Sequence, residues 1–500
     1  MKKRKVFVFA ILLIPLILIL LSCTNDSEKV TIPVQPGGQP TTLKAKVMAA
    51  ADSIRLAVQR FRGKNYKRKV FVSVFTQSQY AAQVGNQFDT IPQSTKNLYN
   101  NILRLEGLLR PGADYYSSYD STIASGTAGF YVPGTDSLYV ILADTATGLA
   151  FEDSLTLFHE FVHALQDQYF GLDTINNPYA PSDMYYATDY VIEGEAELLM
   201  DYYYFFLNSG AYPTTSTPVV NFLNQEQIGA DADLDTMHQH GEPMLTNMPL
   251  QWEYFSYGPR FINAIAGMNW SIIDNTIFPV LPLRMLEVLH PQEYSATNEY
   301  VLNTQALDSV IVQSNLIEDD DQLGELLADV MFREWDFAAF RDIPNGMTAD
   351  ESFVFRDLQT DTLRMVWYTY WRDSSAAAAA TFFANYASLV NKKRNIVLPP
   401  AVDSTGFAYI NDTVNNIYIE QATSYVFTIE NYKKSALSSL TAACRTVQPA
   451  SAWGLAKARA RTSARFSRVD KHRLLDRGIR RFPPARGPML AARHFLHPGR

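Results

Sequence analysis

Cysteine is nearly absent: Cys23 and Cys444 are the only two in 500 residues. A disulfide framework is excluded, so the fold must rest on its apolar core and on any bound metal. Histidine is scarce as well, eight in all, which gives weight to any place where two fall close together. Basic charge is thin over most of the chain. Of 43 Lys+Arg and 51 Asp+Glu, 14 and two lie from Arg445 onward, leaving 29 and 49 before it, a balance of −20 against +12. An acidic body of this kind argues against nucleic acid as a partner. What is plentiful is apolar and aromatic surface, 47% and 13% of the chain, enough for a large core in a body of two domains.

The N-terminus reads as an export signal. Lys2, Lys3, Arg4 and Lys5 precede the apolar run Val6 to Leu21, which Pro15 interrupts and which is short for a membrane span. Leu20-Leu21-Ser22-Cys23 resembles a bacterial lipobox, with Leu21 where a small residue is more usual. Cleavage before Cys23 would leave its sulfur to carry lipid and hold the protein on a membrane. A plain signal peptide or an anchor helix is the alternative. Residues 24–42, rich in Pro, Gly, Thr and Gln, read as a tether.

The chemistry is concentrated in Leu155 to Gly171, LTLFHEFVHALQDQYFG. Phe158, Val162, Leu165 and Tyr169 recur at helical spacing. Asp153 and Ser154 are suited to cap the helix, and Gly171 to stop it. On that helix His159 and His163, i and i+4, share a face and can grip one metal ion. Glu160 lies roughly 100° around the helix from His159. It can reach a water held by the ion without itself being a ligand, the position of a general base. The plain alternative is two core histidines one turn apart.

A tetrahedral catalytic zinc needs a third protein ligand and one open position. Some thirty residues further on, past the loop signals Asn176, Asn177, Pro178 and Pro181, comes Val191 to Leu199, VIEGEAELL. Glu193 and Glu197 would share one helix face, with Glu195 pointing elsewhere. Alone this is an ordinary acidic helix face. Together with HExxH it resembles the gluzincin metallopeptidases, in which a glutamate of a following helix, often within E-G-x-A, completes the zinc site. The acidic residue four positions on then braces a zinc-binding histidine. The resemblance implies Glu193 as third ligand of Zn2+ and Glu197 as brace.

The runs HEFVHALQDQYF, EGEA, Phe255-Ser256-Tyr257-Gly258 and Leu289-His290-Pro291-Gln292-Glu293-Tyr294 are together similar to a family of prokaryotic secreted or lipid-anchored gluzincin-type peptidases. The similarity spans about residues 45–340 and weakens towards 430. Where that family has a Thr-rich approach to the His-Pro segment, this chain has Pro282-Leu283-Arg284-Met285, so no role is carried over there. The resemblance implies an α+β fold: a mainly helical, zincin-like catalytic domain with a small sheet at the cleft edge. A peptide or protein would be the substrate. A donor for the developing oxyanion is also required; His290, Tyr257 and Tyr294 are the candidates, each equally suited to capping or packing.

Around this centre, Leu43 to Arg62 reads as a helix, Val70 to Phe75 as a strand and Lys96 to Leu109 as a helix ended by Pro111-Gly112. Gly129 to Leu142 reads as a hairpin turning at Pro133 to Asp136. In gluzincins the strand just before the HExxH helix edges the cleft and pairs with substrate backbone; a hairpin covered on both sides is the alternative. The aromatic stretch Met184 to Phe206 reads as packing, and His238 and His240 as loop residues. Helices are expected over Trp252 to Met268, Leu283 to Leu289 and Gln322 to Phe340. Strand, alanine-rich helix and three further strands are expected between 362 and 429. The division this suggests is 1–22 lipoprotein signal, 23–42 tether, 43–344 catalytic domain, 345–432 small α+β domain and 433–500 basic, disordered tail. The tail should be removable from Arg445 onward without loss of folding. Two functions stay open: a zinc metallopeptidase of the cell envelope, or a non-catalytic surface-binding lipoprotein with a structural zinc. Glu160 favours the first, since a structural site tends to be closed by four ligands and has no use for a base.

Overall fold

The computed structural model describes residues 42–450 apart from 85–87, 89–90, 178–179, 212–216, 295–300, 314, 340–345, 372–375, 396–400, 403–406, 412–415 and 433. The expectations for the signal, Cys23, the tether and residues 451–500 lie outside these residues.

Helix α1 (Leu43–Arg62) starts on Thr42, whose hydroxyl accepts from the Ala45 N–H, and stops at Gly63 in the left-handed region. It leads to β1 (Phe71–Thr76) and then to α2 (Gln93–Glu106). The latter ends at Gly107, φ +87, rather than at Pro111-Gly112: the Gly107 N–H turns back to the last carbonyls and closes the helix early. β2 (Gly129–Val132) and β3 (Ser137–Leu142) form the expected hairpin. β1 pairs with β3 in parallel, so the sheet order is β1-β3-β2. The strand just before the HExxH helix is therefore covered on both sides, and the open edge on the hairpin side belongs to β2.

Helix α3 (Phe151–Phe170) carries the HExxH run. It begins two to three residues before the expected caps, and Asp153, now in its first turn, accepts the Ala150 N–H at 2.7 Å. Gly171, φ +69, ends it as expected. α4 (Ser182–Ser209) packs beside it, buried along most of its length. α5 (Thr217–Gln239) places His238 in a helical last turn instead of a loop, its Nε2 3.1 Å from the Glu334 carbonyl. The single helix expected over 252–268 is two, α6 (Met244–Phe255) and α7 (Tyr257–Ala266), broken at Ser256.

The break has a local cause. A Cβ on Gly258 would overlap the Glu253 carbonyl, and a Cβ on Gly194 would overlap the Gly258 backbone. Two glycines, one on α4 and one on α7, let the helices touch backbone to backbone beside Glu193.

The second half is built on a seven-stranded antiparallel sheet: β5 (Asn315–Asp321), β6 (Ala349–Asp357), β7 (Leu363–Tyr370), β8 (Ala401–Val402), β9 (Phe407–Asn411), β10 (Asn416–Gln421) and β11 (Tyr425–Tyr432). Their order is β5-β6-β7-β11-β10-β9-β8. Along β7 successive residues serve opposite faces. Met365 and Trp367 join the main core with α8 (Gly324–Trp335) and α9 (Ala376–Arg394); Val366 and Tyr368 join a second core. Burial on both faces explains the unbroken apolar run. The expected boundary between 344 and 345 falls inside this sheet, because β5 precedes it and β6 follows, and the described residues group as one unit.

The expected tail start is also displaced. Residues Lys434–Cys444 form α10, which buries Leu440 and Cys444 in the second core, and β12 (Gln448–Ala450) pairs with β4 (Val301–Asn303). Arg445 holds Glu420, and Val447 is buried. A cut at Arg445 would thus remove packed structure. The fold is α+β and dominated by helices; no helix among the described residues is long and apolar enough to cross a membrane.

Candidate metal centre

α3 presents His159 and His163 on one face, and α4 brings Glu193 against them. The His159 and His163 Nε2 atoms are 2.9 Å apart, and Glu193 Oε2 lies 3.1 Å from the first and 3.0 Å from the second. All three residues are buried. Tetrahedral ligands about 2.05 Å from a shared zinc would sit about 3.3 Å apart, so little adjustment separates this triangle from a coordinating one. It is the one group of three or more His, Cys, Asp or Glu among the described residues that could hold a metal ion.

Each ring is held from behind. Glu197 Oε2 lies 3.3 Å from His159 Nδ1, and Gln166 Oε1 lies 2.8 Å from His163 Nδ1. The Gln166 amide nitrogen donates to the Ile192 carbonyl at 2.8 Å and to Glu195 at 2.9 Å, which fixes which end faces the ring. Protons on the two Nδ1 atoms leave both Nε2 lone pairs turned to the same point. Glu195 in turn pairs with buried Arg62, which reaches Asp274 at 2.7 Å. Glu197, which the resemblance implies as a brace, lies beside His159. Gln166 and Glu195 were not foreseen, although Gln166 stands three residues after His163, where a helix brings it back to the same side.

Electrostatics favour positive charge at this point. Burial alone would push the His159 imidazolium down, yet Glu193 and Glu197 lift it to about 10. Burial alone would push Glu193 up, yet His163 and His159 hold it at about 2. Behind Glu193, one further turn along the face, Asp189 accepts from Asn176 at 2.7 Å and contacts Glu253; burial and neighbouring carboxylates push both of these acids up.

Glu160 is 1% exposed and stands off the shared face. Burial pushes its carboxyl up, against the pull of His163 and His159. It receives the Tyr131 backbone N–H of β2, while its Oε1 is buried without a partner among the described residues. A Cβ on Gly129 would come 2.8 Å from the Thr156 methyl and 3.4 Å from Glu160 Cγ, so β2 can lie this close to the helix because it starts on glycine. The rest of the HALQDQYF run holds the sheet in place. Asp167 accepts from the Tyr131 hydroxyl and the Gly134 N–H, both at 2.8 Å, and Gln168 accepts the Lys67 N–H at 2.7 Å.

Two of the three candidate donors are engaged elsewhere: His290 Nε2 is 2.7 Å from Glu325, and the Tyr294 hydroxyl donates to the Val280 carbonyl at 2.5 Å. The Tyr257 ring packs on that of Trp252, 4.8 Å between centroids. An aromatic ring beside the triad is that of Tyr254, 6.0 Å from His159, 3% exposed and with no partner for its hydroxyl among the described residues. Within the run QWEYFSY nothing in spacing singled it out. No protein-family model, curated protein or solved structure matches the chain.

Proposed function

We propose that the chain is a zinc-dependent peptidase in which His159, His163 and Glu193 hold the metal. The observation that carries this is the pairing of a converging three-ligand triangle with an unpartnered glutamate oxygen, that of Glu160, beside it. When bound, zinc supplies a Lewis acid that lowers the pKa of a water and polarises a carbonyl. Glu160, its carboxyl pushed up by burial, takes the proton of the attacking water and returns it to the leaving amine. Tyr254 donates its free hydroxyl to the carbonyl oxygen as negative charge develops there. The open edge of β2, next to Glu160, can pair with an extended peptide, which places a scissile bond alongside the base. Glu197 and Gln166 keep both imidazoles in the tautomer that ligation needs.

A purely structural zinc is disfavoured because three ligands converge, leaving a fourth position, and because a buried carboxylate oxygen without a partner is costly unless used. Elemental analysis of the purified protein, combined with digestion of a broad peptide library by wild type and Glu160→Gln, tests the reading. About one zinc per chain and cleavage that the variant lacks are expected; zinc without any cleavage would return the protein to the surface-binding class. We further propose an envelope location with lipid on Cys23. Cys23→Ser should release the protein from the membrane fraction; unchanged membrane association and unchanged labelling by a fatty-acid probe would overturn it.

A further inference from the structure

We propose that a second site, a cavity between α2, the end of α8, the β6–β7 turn and the end of α9, binds a small amphipathic anion: a carboxylate or phosphate head on an apolar body. The cavity has a volume of about 420 Å³, within the ~300–1,000 Å³ of small-molecule sites. It shares no lining residue with the metal triad. One side is apolar, formed by Leu105, Leu109, Pro111, Trp335 and Leu363. The other carries Arg104, Lys393 and Arg394.

These cations are under-compensated. Buried Glu430 faces two of them, 2.6 Å from Lys393 Nζ and 3.2 Å from Arg394 Nη2. Arg104 has only neutral partners, Asn101 Oδ1 at 3.0 Å and the Ala113 carbonyl at 2.5 Å. The one acid on the lining, Asp361, is taken by Arg356 at 2.7 Å. Buried Glu106 also acts on Lys393, so the three cations meet two carboxylates, and Arg104 and Arg394 are the less compensated pair. The lining thus presents two arginines in a body whose net charge before Arg445 is −20. Donors remain as well: Arg394 Nη1 has no acceptor among the described residues. Its Nη2 is held in place by Asn431, whose own amide donates to the Leu363 carbonyl at 3.0 Å.

Together these features select a ligand. Bare inorganic anions would leave the Trp335 and leucine wall in contact with water. A neutral apolar molecule would leave the arginines uncompensated. An anion with an apolar body satisfies both sides, and a planar guanidinium accepts carboxylate and phosphate alike.

The test is calorimetric titration of the full chain with phenyl phosphate and with 3-phenylpropanoate. Inorganic phosphate serves as the head alone and phenol as the body alone. One or both amphipathic anions should bind at least about tenfold more tightly than either half, and which of the two binds better identifies the head group. Arg104→Gln removes one charged donor and should weaken binding about tenfold or more. Thr362→Glu, at the half-buried end of the turn on the rim, should do the same by repulsion. Circular dichroism and melting temperature of both variants should match wild type. The proposal is overturned if neither amphipathic anion shows saturable binding, or if both variants fold and bind as wild type does.

Discussion

Two clusters of buried acids lie in this protein, and they are satisfied in opposite ways. Around the triad, Glu193, Glu195 and Glu197 face His159, His163 and Arg62, so charge meets charge. Where the start of α4 meets the sheet, Asp183, Asp321 and Asp350 are held mainly by dipoles. Asp183 accepts the Met285 N–H at 2.8 Å; Asp321 accepts the Ser182 N–H at 2.8 Å; Asp350 accepts from Leu323 at 2.9 Å and from the Trp367 ring at 2.8 Å. Burial pushes all three up, with Asp350 adding to the effect on Asp183, which reaches about 8. Donor dipoles cost less to bury than cations but compensate less of the charge, so the second cluster favours the protonated form where the first gathers groups that could hold a metal.

The sharpest way to break the first cluster is Glu160→Gln. Hydrolysis should fall ~10²–10⁴-fold, the usual worth of a general base, with zinc content unchanged; loss of zinc would make Glu160 a ligand. Tyr254→Phe should cost ~10²–10³-fold in kcat, as loss of a transition-state donor does, while His290→Ala should cost less than about tenfold. The reverse ranking in steady-state kinetics would restore His290 as donor. In the second cluster, Gly324 sits at φ +71 and a Cβ there would overlap the Asp183 carboxylate. Gly324→Ala should lose about 2–5 kcal/mol by denaturant titration, from left-handed strain plus overpacking.

Gln166→Leu frees His163 Nδ1 and should weaken zinc affinity ~10–100-fold in a chelator competition. The last contrast is in pH. Asp183, raised from 3.8 to about 8, adds stability that is complete below about pH 4 and is lost as pH rises towards 8. Asp321 and Asp350 act in the same direction. Glu193, lowered to about 2, changes only in strong acid, whereas His159, lifted from 6.5 to about 10, and Asp189 and Glu253, both pushed up, lose stability with rising pH as Asp183 does. Melting of the metal-free protein should therefore fall from pH 5 to pH 9, by no more than ~1.4 kcal/mol per pH unit for each group. Asp183→Asn should flatten the slope; an unchanged slope would remove Asp183 from the explanation.

The first cluster was legible in the sequence because its rule is local. His159 and His163, and likewise Glu193 and Glu197, are i and i+4, and helical geometry alone puts each pair on one face. The second was not, since Asp183, Asp321 and Asp350 meet only when the sheet has formed. β5, NLIEDDD, reads as a polar loop and is a strand only because β6 pairs with it. The position of β3 in mid-sheet depends on a parallel partner, β1, far back in the chain. In α10 the few apolar positions that pack, such as Leu440, Ala443 and Cys444, were outweighed by the charge reversal that begins just beyond them. Gly194 and Gly258 were visible as letters in two motifs, but not as each other's counterpart.

The pairing of β12 with β4 has a consequence for how the molecule is made. Ala450 lies against Val301, Pro449 against Leu302 and Gln448 against Asn303. The two helices that carry the triad are near neighbours in sequence and can dock while most of the chain is still to be synthesised. The second core, by contrast, must wait for Leu440, Cys444 and Val447, nearly the last described residues to emerge. Chains assembled from the N-terminus tend to fold their early units first, and distant contacts close slowly. A ribosome halted shortly before Lys434 should therefore display a nascent chain whose helices α3 and α4 resist protease while strands β4–β7 remain open to it.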